Sequence, residues 1–128
     1  MRILIDTQTF LWWATTDPKL SATAVNIISD KTNEIVVSAA VSWEIAIKWQ
    51  LGKLPIPIAP SLYIPSRMAQ YGFVPLDITI AHTVRAESLP LHHKDPFDRI
   101  LIAQCQIESV PIVTADPLIA QYGVSVLW

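Results

Sequence analysis

Four short apolar runs constrain this chain more than any other feature: Ile3-Leu4-Ile5, Ile35-Val36-Val37, Val110-Pro111-Ile112-Val113 and Val124-Ser125-Val126-Leu127. As a set they are compact and continuous, which suits strands buried on both faces in a parallel sheet covered by helices. A weaker run, Phe73-Val74-Pro75-Leu76, is a fifth candidate. Helix-length segments lie between them. Residues 21–30 begin on Ser21, and residues 39–51 follow Ser38 and stop at Gly52, so good capping residues sit at their ends. Residues 96–108 open on Asp95-Pro96, the order of cap then first-turn proline, and residues 117–122 repeat it with Asp116-Pro117. Residues 61–70, which contain Pro65, and residues 78–88 read as helices too, while 54–60 hold three of the ten prolines and read as a stiff loop. Strands alternating with helices predict an α/β fold of three layers, with a central parallel sheet of about five strands flanked by helices.

At 128 residues the chain fits one domain, 1–128. Hydrophobic residues make up 52% and charged residues 16%, against a usual charged share of about 25%, so a real core is expected. The formal charge of −2 speaks against a basic nucleic-acid tail. One cysteine, Cys105, excludes an internal disulfide framework and reads as a small buried apolar residue. Three glycines are too few and too scattered for a dinucleotide loop or a P-loop. Asp6 interrupts the apolar start before it resembles a signal core, and no run approaches the ~18 apolar residues of a membrane span. A cytoplasmic protein without membrane contact is expected. Five tryptophans on a body this small point to leftover apolar surface and a protein partner; Trp12, Trp13, Trp43 and Trp49 read as core or dimer surface.

The placement of the acids carries the chemistry. Asp6 ends the first strand and Asp116 follows Val113-Thr114, and ligands of open α/β sheets bind beyond the carboxyl ends of strands. Glu44 has Ala40, Val41 and Ile47 as helical neighbours, with Lys48 the polar exception, and Asp98 shares a face with Leu101, Ile102 and Cys105. Both therefore point inward or along a cleft edge, where a lone carboxylate is costly unless paired or bound to metal. Two like charges about 5 Å apart repel by roughly 3 kcal/mol at an effective dielectric of ~20. If Asp6, Glu44, Asp98 and Asp116 converge, protons or a divalent cation must offset that repulsion, and an all-oxygen set suits Mg²⁺ or Mn²⁺ rather than zinc. With those four acids left out of the −2, the remainder of the chain carries +2, compatible with a polyanion such as RNA.

Other residues have more local readings. Asp95 reads first as the cap of 96–108 and second as a metal ligand. Arg99 reads as an ion-pair partner of Asp95, with a substrate-phosphate contact as the alternative. Thr114 is placed to hydrogen-bond a carboxylate or a metal water, and His92-His93-Lys94 reads as a solvated loop, with RNA contact as the alternative. An aspartyl-phosphate phosphatase would need a second aspartate two residues after the first, and position 8 is Gln8. A serine hydrolase would need a G-x-S-x-G turn, which is absent.

The ordered set Asp6-Thr7 with Phe10-Leu11-Trp12, Ser42-Trp43-Glu44-Ile45 with Lys48 and Gly52-Lys53-Leu54, His93-Lys94-Asp95-Pro96-Phe97-Asp98-Arg99 with Leu101-Ile102-Ala103-Gln104, Thr114-x-Asp116 and Tyr122 resembles the PIN-domain family, and within it the VapC-type toxins of bacterial type II toxin–antitoxin systems. The resemblance spans nearly the whole chain. It implies a Mg²⁺- or Mn²⁺-dependent endoribonuclease with a five-stranded parallel sheet, its acidic site at Asp6, Glu44, Asp98 and Asp116. It further implies in-line attack of a metal-activated water on an RNA phosphodiester leaving a 5′-phosphate, a homodimer, and a cognate antitoxin that binds beside the site. Gln8 stands where these toxins often carry a histidine, which bears on substrate choice more than on chemistry. The alternative is a PIN-like binding module that holds a partner and cuts nothing.

Overall fold

A computed structural model describes residues 1–128. The elements run β1 (Arg2–Ile5), α1 (Thr7–Thr15), α2 (Ala22–Ser29), β2 (Glu34–Ser38), α3 (Ala39–Gln50), α4 (Pro60–Tyr71), β3 (Val74–Leu76), α5 (Ile80–Ser88), α6 (Pro96–Glu108), β4 (Ile112–Val113), a 3₁₀ turn (Ile119–Tyr122) and β5 (Val126–Leu127). The five strands form one sheet in the order β3-β2-β1-β4-β5, and every neighbouring pair is parallel.

The continuous apolar runs explain the centre of that sheet. Ile3, Leu4 and Ile5 of β1 and Ile35, Val36 and Val37 of β2 are all buried, so helices cover both faces. The register pairs Ile5 with Val37 on one side and with Val113 on the other. Pro75, which cannot donate to a ladder, lies on β3 at the sheet edge. Phe10 from α1, Ile45 from α3 and Leu101 and Ile102 from α6 complete the core. No helix is long and apolar enough to cross a membrane.

The caps act where the sequence places them: Ser21 accepts from the Ala24 N–H, Ser38 from the Ala40 N–H, and Asp95 from the Phe97 and Asp98 N–H groups. Two expectations need correction. The segment after Asp6 carries no helix in the sequence reading, yet α1 begins one residue past the strand, with Asp6 capping it through the Thr9 N–H. That helix ends on Thr16 at φ 53°, a left-handed position without the usual glycine, so its stop is invisible in the sequence. The segment 117–122 forms only the 3₁₀ turn, because Pro117 follows Asp116 without enough chain before Gly123 for an α-helix.

Trp12 and Trp13 pack half-buried against the core, Trp12 beside Trp128 and Trp13 beside Tyr71. Trp49 is exposed. Trp43 is 61% exposed and rests edge-on against Phe97 at 5.3 Å.

Candidate metal centre

The strand order turns back at β1, since the chain adds β2 and β3 on one side of it and β4 and β5 on the other. That is the switch point where open parallel sheets leave a crevice beyond the carboxyl ends of their strands. A crevice of about 490 Å³ lies there, lined among others by Asp6, Glu44, Asp95, Asp98 and Asp116, with Lys48 and Lys53. Two roomier hollows, of about 610 and 790 Å³, have mainly apolar walls and one carboxylate each, Asp77 and Glu87.

Asp6 arrives from the end of β1. Its Oδ1 accepts the Thr9 N–H at 2.9 Å and its Oδ2 accepts the Thr114 hydroxyl at 2.6 Å. Burial pushes its carboxyl above the usual range, against the pull of those hydrogen bonds. Glu44 comes from the second turn of α3 and is also buried; Oε1 accepts from the Thr7 hydroxyl at 2.5 Å and Oε2 from Lys48 Nζ at 2.7 Å. Lys48 itself is exposed and reaches this buried carboxylate from the crevice rim. Asp98 comes from the first turn of α6. Burial, then the charges of Asp95 and Asp6, push its carboxyl up to about 7, with Glu44 adding to the rise and His93 opposing it. Asp116 follows β4, where its Oδ1 accepts the Leu118 N–H and its own N–H donates to Thr114 Oγ1 at 3.1 Å.

The four acids named from the sequence thus line one crevice, although they come from four separate segments. The tightest group of potential ligand atoms is smaller: one atom each from His93, Asp98 and Asp116 lie within 4.8 Å of one another, with Asp6 and Glu44 outside that group on the same crevice wall. Asp95 both caps α6 and faces the crevice. Thr114 holds a carboxylate, as its position suggests.

Arg99 does neither thing its sequence position suggests. It is buried, and its guanidinium donates to the carbonyls of Ala86, Leu89, Pro90 and His93 at 2.8–3.1 Å, with no ion pair to Asp95 and no place on the crevice wall. Two of those carbonyls close the C-terminal end of α5, where a cation is favoured by the helix dipole. The reading of 92–94 as a solvated loop fails at His93. This residue is buried, and its Nε2 lies 2.7 Å from Asp116 Oδ2 and 3.1 Å from Asp98 Oδ2. No periodicity marks it, because its hydrogen-bond partner Asp116 is 23 residues away, beyond the end of β4.

As a donor set the crevice is carboxylate-rich and short of cations, with Lys48 engaged by Glu44. Burial raises the Asp6 and Asp98 carboxyls, and neighbouring carboxylates add to the rise. Asp6, Glu44, Asp98 and Asp116 fit a hard divalent cation by their chemistry.

An α/β fold with an acidic crevice at the sheet's switch point is the class of protein these observations define. The chain belongs to the PIN-domain family, whose model matches residues 3–124. It is similar to Ribonuclease VapC16 of Mycobacterium tuberculosis (strain ATCC 25618 / H37Rv), with 47% identity over a stretch covering 57% of this chain. That match spans 56% of the length of the relative. Among solved structures it is similar in fold to VapBC2 from Rickettsia felis bound to a promoter DNA fragment, at TM-score 0.72 and 13% identity over 98% of this chain and 97% of the other. VapBC-1 from nontypeable Haemophilus influenzae gives 0.64 and 14% over 98% and 96%. A toxin-antitoxin complex from Klebsiella pneumoniae gives 0.60 and 16% over 89% and 86%.

Proposed function

We propose that this chain is a divalent-metal-dependent endoribonuclease acting as the toxin of a toxin–antitoxin pair, with Asp6, Glu44, Asp98 and Asp116 holding Mg²⁺ or Mn²⁺. The observation that carries the reading is the meeting of four acids from β1, α3, α6 and the β4 exit on one crevice wall. The name of the mycobacterial relative and the complexes in which the structural neighbours occur support the same reading. Held by these four acids, a hard dication would supply activation of water and would offset negative charge on a phosphodiester.

The protein's own residues prepare the site. Thr9 and Thr114 fix the orientation of Asp6, so its carboxylate needs no reordering. Thr7 and Lys48 do the same for Glu44. Lys48 and Lys53 put positive charge on the crevice wall, suited to an RNA backbone phosphate. Trp43 and Leu91 are 61% and 77% exposed and line an apolar hollow between α3, α5 and α6, which supports a protein contact such as a second copy in a homodimer. A cognate antitoxin is the other partner proposed, and one domain over 1–128 the organisation.

The test is cleavage of RNA with Mg²⁺, with EDTA, and by Asp6→Asn. Activity is expected only for the parent with metal. Cleavage that survives chelation and the substitution overturns the site, and a parent that binds RNA yet leaves it intact with Mg²⁺ and Mn²⁺ favours the silent binding module.

A further inference from the structure

We propose that His93 is a positioning residue that clamps Asp98 and Asp116 together, its Nε2 donating to Asp116 Oδ2 while standing against Asp98 Oδ2. This rests on the nuclease reading and adds to it a residue that is neither an acid nor a ligand.

The hydrogen bonds around the ring decide its role. The backbone N–H of Asp95 donates to His93 Nδ1 at 3.1 Å. A backbone N–H can only donate, so Nδ1 carries a lone pair, and the proton of the neutral ring is assigned to Nε2. That nitrogen donates to Asp116 Oδ2 at 2.7 Å and stands 3.1 Å from Asp98 Oδ2. Binding a metal through Nε2 would move the ring proton to Nδ1, directly against the Asp95 N–H. The three atoms resemble a ligand cluster in spacing alone. In chemistry they are one donor, its acceptor Asp116, and the Asp98 carboxyl beside them.

The bridge matters because the two acids have no other common anchor. Asp98 is held by α6 and Asp116 by the turn after β4. Two neighbouring carboxylates repel, and nothing in their own elements opposes separation. The backbone that carries the ring is held at both its N–H and its carbonyl. The His93 N–H donates to the Tyr122 hydroxyl at 2.7 Å, and that hydroxyl donates to the Pro90 carbonyl at 2.6 Å. Arg99 donates to the His93 carbonyl at 3.0 Å. The buried arginine and the tyrosine, which touch no carboxylate, thereby fix the backbone from which the imidazole reaches the acids.

The experiment compares parent, His93→Gln and His93→Leu in Mn²⁺ affinity, read by water-proton relaxation, beside RNA cleavage. Glutamine places an amide N–H near the Nε2 position and cannot become a cation; leucine fills the space and donates nothing. The leucine variant is expected to lose affinity by about 10–100-fold, as when partners that orient metal ligands are removed. The glutamine variant is expected to keep most of it. ¹⁵N spectra of the parent ring are expected to show the proton on Nε2 both without metal and with Mg²⁺. If His93→Leu fails to fold, the glutamine variant and the ring spectrum still decide. A folded glutamine variant as impaired as the leucine one, or a ring proton that moves to Nδ1 on adding Mg²⁺, overturns the clamp. So does a leucine variant that binds Mn²⁺ and cuts like the parent, while the nuclease reading stands. A parent that neither binds Mn²⁺ nor cuts RNA brings down the nuclease reading itself.

Discussion

Thr114 donates its hydroxyl to Asp6 Oδ2 at 2.6 Å, joining two residues 108 positions apart. The Thr114 hydroxyl oxygen in turn accepts the Asp116 N–H at 3.1 Å, so one buried hydroxyl ties the β1 acid to the turn that carries the β4 acid. Strand pairing alone would bring β1 and β4 side by side, as Ile5 opposite Val113 shows. It would leave the Asp6 side chain free to rotate. The threonine converts sheet register into carboxylate orientation.

Replacing that hydroxyl tests the link directly. Thr114→Val keeps the shape and removes both hydrogen bonds, leaving a buried carboxylate oxygen and a backbone N–H short of a partner. A loss of about 1–3 kcal/mol in unfolding free energy is expected by urea titration. Metal affinity should fall as well, while Thr114→Ser should retain most of both. A valine variant that binds Mn²⁺ like the parent would show that Asp6 is held by Thr9 and its helix alone.

Asp98 predicts how the metal-free protein responds to pH. Its carboxyl is pushed up to about 7 in the fold by burial and by Asp95 and Asp6, against an ordinary value of 3.8. Between roughly pH 4 and 7 the folded protein therefore keeps a proton that the unfolded chain releases. This contribution is fully present below about pH 4 and is lost as pH rises through about 7, on the order of 3–4 kcal/mol in all. The melting temperature with EDTA should fall more steeply for the parent than for Asp98→Asn between pH 5 and 8. Parallel profiles would mean that Asp98 ionises as freely as an exposed aspartate.

The legible part of the molecule was the part written locally. Ser21, Ser38 and Asp95 announce their helices by cap chemistry, and the unbroken runs at 3–5 and 35–37 announce strands covered on both faces. Glu44 and Asp98 stood out because acids on apolar helix faces need a reason. Asp6 concealed α1 by doing two jobs at once, ending β1 and capping the helix with no turn residue between. His93 and Arg99 were misread for a shared reason. Their partners are Asp116 and the backbone carbonyls of a neighbouring helix end, and neither kind of contact leaves a spacing in the sequence. The exposed and buried members of a polar triplet such as His92-His93-Lys94 look alike until the chain folds.

Arg99 should matter to folding more than to chemistry. Its charge is buried without a carboxylate, compensated by four carbonyls at the end of α5 and in the segment leading to His93. Arg99→Met would leave the Leu89 and His93 carbonyls without a donor and take one of two from Ala86 and Pro90, and a cost of about 3–5 kcal/mol is expected in urea unfolding. Arg99→Lys should rescue little, because one ammonium lacks the planar fork that reaches several carbonyls at once. A lysine variant within about 0.5 kcal/mol of the parent, the ordinary scatter of a surface substitution, would show that charge alone suffices.

Metal should stabilise the fold through the acids it neutralises. At 100 times its dissociation constant, a ligand bound only by the folded state adds about 2.7 kcal/mol. Mg²⁺ or Mn²⁺ should therefore raise the melting temperature of the parent, and EDTA should reverse the rise. Asp6→Asn should lose that response. Without metal the same variant should melt at the parent's temperature or above it, because burial disfavours the Asp6 charge and Asp116 adds repulsion. Its amide can still accept from Thr9 or Thr114 through its one oxygen, which limits the structural loss. The comparison separates electrostatic relief from packing. A variant that melts well below the metal-free parent would mean that the Asp6 carboxylate stabilises this fold rather than burdening it, and that the crevice needs no cation to be calm.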